Sequence, residues 1–279
     1  MGWNIFYWFP ISPNRIKTKK DILIMCLVVF AYKYHPRYKL IFAANRDEFY
    51  NRPTMQANFW KENSALLAGK DLQAGGTWLG ITKDGRFAAI TNFRDMKNIK
   101  ENSPSRGFLT LNFLIGNETI ENYYNNLKLS LRDFNGFNLI AGDIDNLHYF
   151  SNISSRLEEI PPGIHGLSNA LLNTPWPKIN QSKEALVQIV QKDKFQIQDL
   201  LELLSDGNVG KDEELPDTGI GLDWERVLSS IFIRSDNYGT RSSTVILVDN
   251  ENNVQFTERT FSGNSMTFKD KVFKFKLTK

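Results

Sequence analysis

Runs of apolar residues separated by short turns dominate the chain from residue 26 onward, and they predict β-hairpins. Residues 26–32 are apolar and rich in β-branched side chains, as buried strands are, and residues 40–44 follow as a predicted hairpin partner. The pair Asp84-Gly85 favours the positive φ angles of a tight hairpin turn. Further strands are predicted at residues 66–68, 77–82, 87–91, 138–142, 148–151, 244–248 and 254–260, the last two forming a final hairpin.

Helical periodicity occupies the segments between these strands. It predicts helices over residues 106–116, 121–131, 182–192 and 197–204, with Ser182 as an N-cap, and a Gly- and Asp-rich loop over residues 208–223. No internal repeat and no linker-like composition divides residues 25–279. Strands, then helices, then strands predict one α+β layered domain built on antiparallel sheet.

Composition narrows the classes of function. The chain has 279 residues, of which 34 are basic and 31 acidic, and its net charge of +3 gives no global attraction to nucleic acid or to anionic membranes. A single cysteine, Cys26, excludes an intramolecular disulfide and a Cys-based metal site, and the three histidines are too dispersed to predict a zinc site. The 20 phenylalanines fit either a thick core or an apolar ligand pocket.

Residues 1–24 differ in character from the rest, with aromatic residues, two prolines and a basic cluster. They lack the order of a secretory signal, and their apolar runs are too short to span a bilayer. We interpret them as an extension: either a removable segment, or, as we favour, the product of a start assigned upstream of Met25. Without a secretion signal the expected location is the cytoplasm, where a free thiol such as Cys26 stays reduced.

If Cys26 is the first residue of the working protein, it can act as a nucleophile without a catalytic histidine. Its own α-amine, with a pKa of about 7.7–8.0, is neutral in part of the molecules near pH 7, and the neutral amine can take the thiol proton. Asp47, beyond the end of the predicted partner strand, is placed to orient that amine. Asn92 and Asn169 are candidates to stabilise a tetrahedral oxyanion. Each residue has a structural alternative. Cys26 is then a packed strand residue and Asp47 a turn carboxylate, while Asn92 caps a strand end and Asn169 satisfies backbone groups in a turn.

Asn45-Arg46-Asp47-Glu48, after a strand and shortly after Met25-Cys26, resembles the signature of the NRDE family, which includes the transport and Golgi organisation protein 2 group. Further blocks in the same order strengthen the resemblance along nearly the whole chain. These blocks are Ala74-Gly75-Gly76-Thr77-Trp78-Leu79-Gly80, Thr91-Asn92-Phe93-Arg94, Ser105-Arg106-Gly107, Gly166-Leu167-Ser168-Asn169 and Thr174-Pro175-Trp176-Pro177-Lys178.

The family is in turn similar, more distantly, to cysteine N-terminal-nucleophile (Ntn) amidases that cleave conjugated bile salts and penicillin V. That resemblance implies an αββα sandwich of two mainly antiparallel sheets flanked by helices. It also implies Cys26 as nucleophile, and it matches Asp47, Asn92, Asn169 and a late arginine, Arg241, to catalytic positions, with Asn173 as a less favoured match for the second asparagine. The amidase arginine falls on Ala44, so Arg46, on the same face of the strand, is the candidate replacement.

Two functions of different class follow. The first is an amidohydrolase that cleaves the linear amide of a small acylated substrate, with no cofactor. The second is a non-catalytic protein that binds or traffics haem or lipid on the same scaffold, with Cys26 lining a pocket or ligating haem iron. Either function predicts a small apolar or acylated ligand, and the oligomeric state stays open. The predicted ligand-binding residues are Asn45, Arg46, Trp78, His165 and Trp176, each with a structural role in the strand, turn or core as the alternative.

Overall fold

The first of two sheets carries the candidate nucleophile. The computed structural model describes residues 26–263 and 267–278, so the predicted extension of residues 1–24, and Met25, lie outside the described residues. Within those ranges the first sheet has six strands, all paired antiparallel. In spatial order they are β10 (Gly163–Leu167), β1 (Cys26–His35), β2 (Tyr38–Phe49), β11 (Tyr238–Asp249), β12 (Asn253–Phe261) and β13 (Phe268–Lys276).

The second sheet follows chain order and is also antiparallel. Its seven strands in the described chain are β3 (Thr54–Phe59), β4 (Leu66–Asp71), β5 (Leu79–Thr82), β6 (Arg86–Asn92), β7 (Phe137–Asp143), β8 (Asn146–Ser151) and β9 (Arg156–Glu159). The helices are α1 (Gly107–Ile115), α2 (Ile120–Leu127), α3 (Pro177–Val190), α4 (Ile197–Leu203) and α5 (Leu222–Ser229).

Alternation along the strands produces a four-layer packing. On β1, Val28 and Phe30 face the second sheet and join the core between the two sheets, whereas Val29 and Ala31 face α3 and α4. The opposite face of the second sheet packs against α1 and α2. A strand buried on both faces reads as a continuous apolar run, which is why residues 26–32 show so little polar alternation. The predicted α+β fold, two antiparallel sheets between layers of helix, is confirmed.

The predicted hairpin at the start of the domain is confirmed and is longer than expected. β1 and β2 pair with Val28 opposite Ala44, and the same register brings Cys26 opposite Arg46. Asp47 therefore lies one residue further along β2, inside the sheet and fully buried. The sequence predicted it beyond the end of the strand, because charged residues 46–48 are unusual in a buried strand.

Several predicted boundaries are wrong. The helix expected at 182–192 begins at Pro177, since proline is well tolerated in the first turn, and Ser182 is buried within it and donates to the carbonyl of Ile179. The helix predicted to reach residue 131 ends at Leu127, the strand predicted at 77–82 starts at Leu79, and α5 begins inside the predicted loop. Strands β3, β9, β10 and β13 were not predicted, so the hairpin of β11 and β12 is not the final element.

Among the described residues, no helix is long and apolar enough to cross a membrane.

Candidate functional site

Cys26 lies at the first position of β1, where both neighbouring strands and the second sheet surround it. Its side chain is 8% exposed and borders a cavity of about 10 Å³, room for about one water molecule. Much of the wall is apolar, with Val28, Phe42 and Leu79 among its residues. The thiol therefore faces a small apolar space between the two sheets.

This environment keeps the thiol protonated. Burial raises the pKa of Cys26 to about 12, and the carboxylate of Asp47 raises it further. The positive charge of Arg46 and the backbone N–H of Asp47 act in the opposite direction. In the chain as described, with Cys26 preceded by another residue, the sulfur is a weak nucleophile at neutral pH.

Asp47 is the carboxylate with the largest electrostatic effect on this thiol, and it is fully buried. Oδ1 accepts a hydrogen bond of 2.6 Å from the hydroxyl of Thr240, the residue opposite Asp47 on β11. Oδ2 is buried and accepts no hydrogen bond within the described chain. Burial raises the pKa of the carboxyl group, and Lys178 opposes that rise. Asp47 thus offers one unused acceptor in the buried region that contains Cys26.

Lys178 was missed as a site residue in the sequence. It is buried at the start of α3, and its Nζ donates to the carbonyl of Leu228 at 2.9 Å. Burial lowers its pKa, while Asp47 and the thiol of Cys26 favour the charged form. A lysine in the first turn of a helix is ordinarily exposed, so only its place in the block at residues 174–178 marked it.

The structure brings the two predicted oxyanion asparagines together next to Cys26. The side-chain Nδ2 of Asn169 donates to the carbonyl of Asn92 at 2.8 Å. The hydroxyl of Ser168 lies 3.0 Å from the carbonyl oxygen of Cys26 and 3.1 Å from Oδ1 of Asn169. Asn92, Asn169 and Cys26 therefore belong to one hydrogen-bonded group, joined by Ser168, which the sequence did not single out. Their catalytic roles stay predictions.

Arg46 and Trp78 both border the cavity. The Arg46 guanidinium lies 4.2 Å from the centre of the Trp78 ring, a cation–π contact. Arg46 is buried and also lies 3.5 Å from the carboxylate of Glu48 and 3.9 Å from that of Asp71. Its charge is thus balanced by carboxylates, and its ring contact closes one side of the space in front of Cys26.

Asn45 borders the same cavity, but its amide has protein partners. Nδ2 donates to the carbonyls of Leu204 and Ile231, each at 2.8 Å, and Oδ1 accepts from the hydroxyl of Ser243 at 2.6 Å. These bonds fasten β2 to the end of α4, to the segment after α5 and to β11. The predicted ligand-binding role of Asn45 is not needed to explain its position.

Arg241 is the extra residue of a β-bulge, because Thr240 pairs with Asp47 and Ser242 with Arg46. Its Nη1 donates to the carbonyls of Phe49 at 2.8 Å and Arg52 at 3.1 Å. Backbone carbonyls therefore hold this guanidinium in place. Nε is buried and has no partner among the described residues.

His165 and Trp176 do not border the cavity of Cys26. Nε2 of His165 lies 2.8 Å from the carbonyl of Pro161, Nδ1 lies 3.1 Å from the amide nitrogen of Asn173, and the ring packs on Phe30. Asn173, the less favoured match for the second asparagine, therefore contacts His165 through its side-chain amide. Trp176 is the residue before α3, and the guanidinium of Arg94 lies 5.1 Å from its ring.

Arg106, like Lys178 and Ser168, is a residue that the sequence did not single out as part of the site. It precedes α1, and Nη1 donates to the carbonyl of Gly136 at 2.9 Å. Its side chain interacts electrostatically with Cys26 and Glu48. Its only sequence signal was the block at residues 105–107. Within the described chain, no group of three or more histidine, cysteine or acidic residues is arranged to hold a metal ion.

Solved structures to which the chain as a whole is similar include a mutant of the conjugated bile acid hydrolase from Clostridium perfringens. The TM-score is 0.45, and the two chains are 10% identical over 90% of this chain and 96% of that chain. Another is a Caenorhabditis elegans N-acylethanolamine-hydrolyzing acid amidase orthologue. The TM-score is 0.40, and the two chains are 10% identical over 80% of this chain and 92% of that chain.

Sequence relatives are more similar. The Transport and Golgi organization protein 2 homolog of Bos taurus is 38% identical over 266 residues, which cover 87% of this chain and 95% of the relative. The Homo sapiens homolog is 36% identical over 280 residues, covering 91% and 99%. The family model described as Transport and Golgi organisation 2 matches residues 25–263. The chain belongs to the Transport and Golgi organisation 2 family.

Proposed function

We propose that the protein is an Ntn-type cysteine amidohydrolase that cleaves the linear amide of a small acylated substrate through Cys26 as its first residue. The observation that carries the proposal is a thiol at the start of a buried strand that interacts with the backbone N–H and the charge of Asp47, whose buried Oδ2 has no partner among the described residues. A buried carboxylate oxygen without a donor is costly, and a free α-amine at Cys26 is a donor that would offset that cost.

The reaction follows from one residue that supplies both nucleophile and base. The neutral α-amine of Cys26 takes the proton of its own thiol, directly or through a water, and the sulfur attacks the acyl carbon. The tetrahedral oxyanion collapses, the C–N bond breaks, and the leaving amine takes the proton. Water then attacks the thioester, which releases the acid and restores the thiol. Asp47 orients the amine, and the amides of Asn92 and Asn169 are the proposed oxyanion donors.

The cavity in front of Cys26 accommodates about one water molecule, so an acyl chain requires rearrangement of its wall. Within this wall the side chains of Arg46 and Trp78 contact each other, and side chains can separate without breaking the strand pairing. We therefore propose that the substrate enters by separating this pair, which is a form of the binding role predicted for both residues from the sequence.

The second candidate function, a non-catalytic carrier of an apolar ligand such as haem or lipid, has one observation in its favour. With residues 1–25 in place, the pKa of Cys26 is about 12 and its cavity is lined largely by apolar side chains such as Val28 and Phe42. A thiol of this kind packs against an apolar molecule without reacting with it. The choice between the two functions depends on whether Cys26 carries a free amine.

The test compares two forms of the protein. One is expressed from Met25 and verified by intact mass to begin at Cys26, and the other retains residues 1–25. Both are incubated with a panel of N-acyl amides, and amine release and an acyl adduct on Cys26 are measured, with Cys26→Ala as control. Hydrolysis confined to the form that begins at Cys26 is expected. If that form releases no amine and gains no acyl mass, the hydrolase proposal fails, and saturable binding of haem or lipid then supports the second candidate.

A further inference from the structure

A cation that the proposed reaction does not use interacts electrostatically with the candidate nucleophile. The guanidinium of Arg106 interacts electrostatically with Cys26 and Glu48, and burial lowers its pKa to about 10, so it is charged at neutral pH. The residue is nevertheless partly exposed to solvent. The guanidinium is therefore packed by protein while the residue can still be reached from solvent, as the binding of an anion requires.

Arg106 differs from its cationic neighbours in having no ion-pair partner in the part of the chain that the structure describes. Arg46 and Arg52 are ion-paired with Glu48 and Asp71. Within the described ranges, by contrast, no carboxylate lies within ion-pairing distance of Arg106, and its described hydrogen bond runs from Nη1 to a backbone carbonyl. A guanidinium carries five N–H donors, so most of this fork is available to an anion.

The position of Arg106 is coupled to the predicted oxyanion residues. The carbonyl of Gly136 accepts Nη1 of Arg106 and also the backbone N–H of Phe93, each at 2.9 Å. Phe93 follows Asn92 directly, and the carbonyl of Asn92 accepts the amide of Asn169. One hydrogen-bonded group therefore holds Arg106 and the oxyanion candidates at the same end of β6.

We propose that Arg106 binds an anionic group of the substrate, so that the acylated substrate is itself an anion carrying a carboxylate, sulfonate or phosphate. This inference rests on the proposed hydrolysis at Cys26. Arginine is suited to the role because its planar fork binds such groups with two parallel hydrogen bonds. The first turn of α1, which begins next to Arg106, contains no acidic residue, so the positive end of the helix dipole adds to the same charge.

The test uses substrate pairs that differ only in charge. In the first pair the anion N-decanoylglycine, whose charge is on the amine side of the scissile bond, is compared with neutral N-decanoylglycinamide. In the second pair the monoamide of sebacic acid, whose charge is on the acyl side, is compared with its neutral methyl ester. The form beginning at Cys26 is assayed with the wild-type sequence and as Arg106→Met, Arg106→Lys and Arg156→Met, the last a matched exposed arginine on β9.

We expect the wild type to prefer the charged member of at least one pair by about ten- to hundredfold in kcat/KM, the range of a charge-assisted hydrogen bond. Arg106→Met should remove that preference by slowing the charged substrate alone, Arg106→Lys should retain part of it, and Arg156→Met should change nothing. Equal hydrolysis of both members of each pair, or equal loss on all substrates in Arg106→Met, would overturn the assignment.

Failure of the hydrolase proposal is distinguishable from failure of this one. If no amine is released, the same pairs are titrated calorimetrically into Cys26→Ala, with and without Arg106→Met. Tighter binding of the charged member that disappears in the double variant supports the anion site even without catalysis. Equal binding of the two members, or binding of neither, overturns it.

Discussion

The acidity of Cys26 should change sharply when residues 1–25 are removed. With them in place, burial and Asp47 raise the thiol pKa from 9.0 to about 12. A shift of about three units corresponds to about 4 kcal/mol against ionisation. At pH 8 the thiolate then makes up about one part in 10⁴, against about one part in ten for an ordinary thiol. Folding thus suppresses the reactive form about a thousandfold.

Exposing the α-amine supplies a compensating charge. An ammonium about 4 Å from the sulfur, at the effective dielectric constant of about 20 suited to protein sites, stabilises the thiolate by about 4 kcal/mol. This is about equal to the penalty from burial, so the pKa of Cys26 should return towards its ordinary value. The same ammonium can donate to Oδ2 of Asp47, which has no donor among the described residues.

Alkylation by iodoacetamide, followed by intact mass from pH 6 to pH 10, measures this change. Cys26 is the one cysteine in the sequence, so the added mass identifies the site. The full chain should react about a thousandfold more slowly at pH 8 than the same chain unfolded in urea, and its rate should still rise tenfold per pH unit at pH 10. The form beginning at Cys26 should level off near the ordinary thiol pKa.

The shape of the pH profile separates acidity from access, because restricted access lowers the rate equally at every pH. If the folded full chain has a midpoint near pH 9, burial does not control the thiol. If both forms have the same midpoint, the exposed amine does not act on Cys26. Either result would refute the reasoning.

Three further predictions concern stability. Asn45→Ala should lower the free energy of unfolding in urea by about 3–5 kcal/mol, because it leaves three buried partners unsatisfied, and a loss below about 1 kcal/mol would contradict this. Burial lowers the pKa of His165, so the charged imidazole is less favourable in the folded than in the unfolded state. The free energy of unfolding of the wild type should therefore fall relative to that of His165→Gln only as the pH drops below about 6.5. A constant difference between the two proteins from pH 8 to pH 5 would contradict this. The effects of Asp47→Asn and Lys178→Met on the free energy of unfolding should be non-additive by about 1–3 kcal/mol, because each single change removes an opposite charge from near the other buried group. Strict additivity in a double-mutant cycle would show that the two residues do not interact.

The fold class was accessible from the sequence because its signals are local. Apolar runs at strand length, turn residues such as Gly85 and helical periodicity each depend on a few neighbouring residues. They predicted the β1–β2 hairpin, the antiparallel sheets and most of the helices, and the ordered blocks indicated the family. Edge strands such as β9 and β13 escaped prediction, since strands exposed along most of their length carry a weak apolar signal.

The candidate site could be predicted only in part from the sequence, because a site depends on residues far apart in the chain. The sequence by itself determined that Cys26 is the one available thiol, and it predicted roles in acyl transfer for Asp47, Asn92 and Asn169. Tertiary packing alone decided that Lys178 is buried in the same region, that Asn45 is held by three partners, and that no carboxylate of the described residues forms an ion pair with Arg106. Burial and charge balance are set by every element packed around a group, so no local pattern in the chain records them.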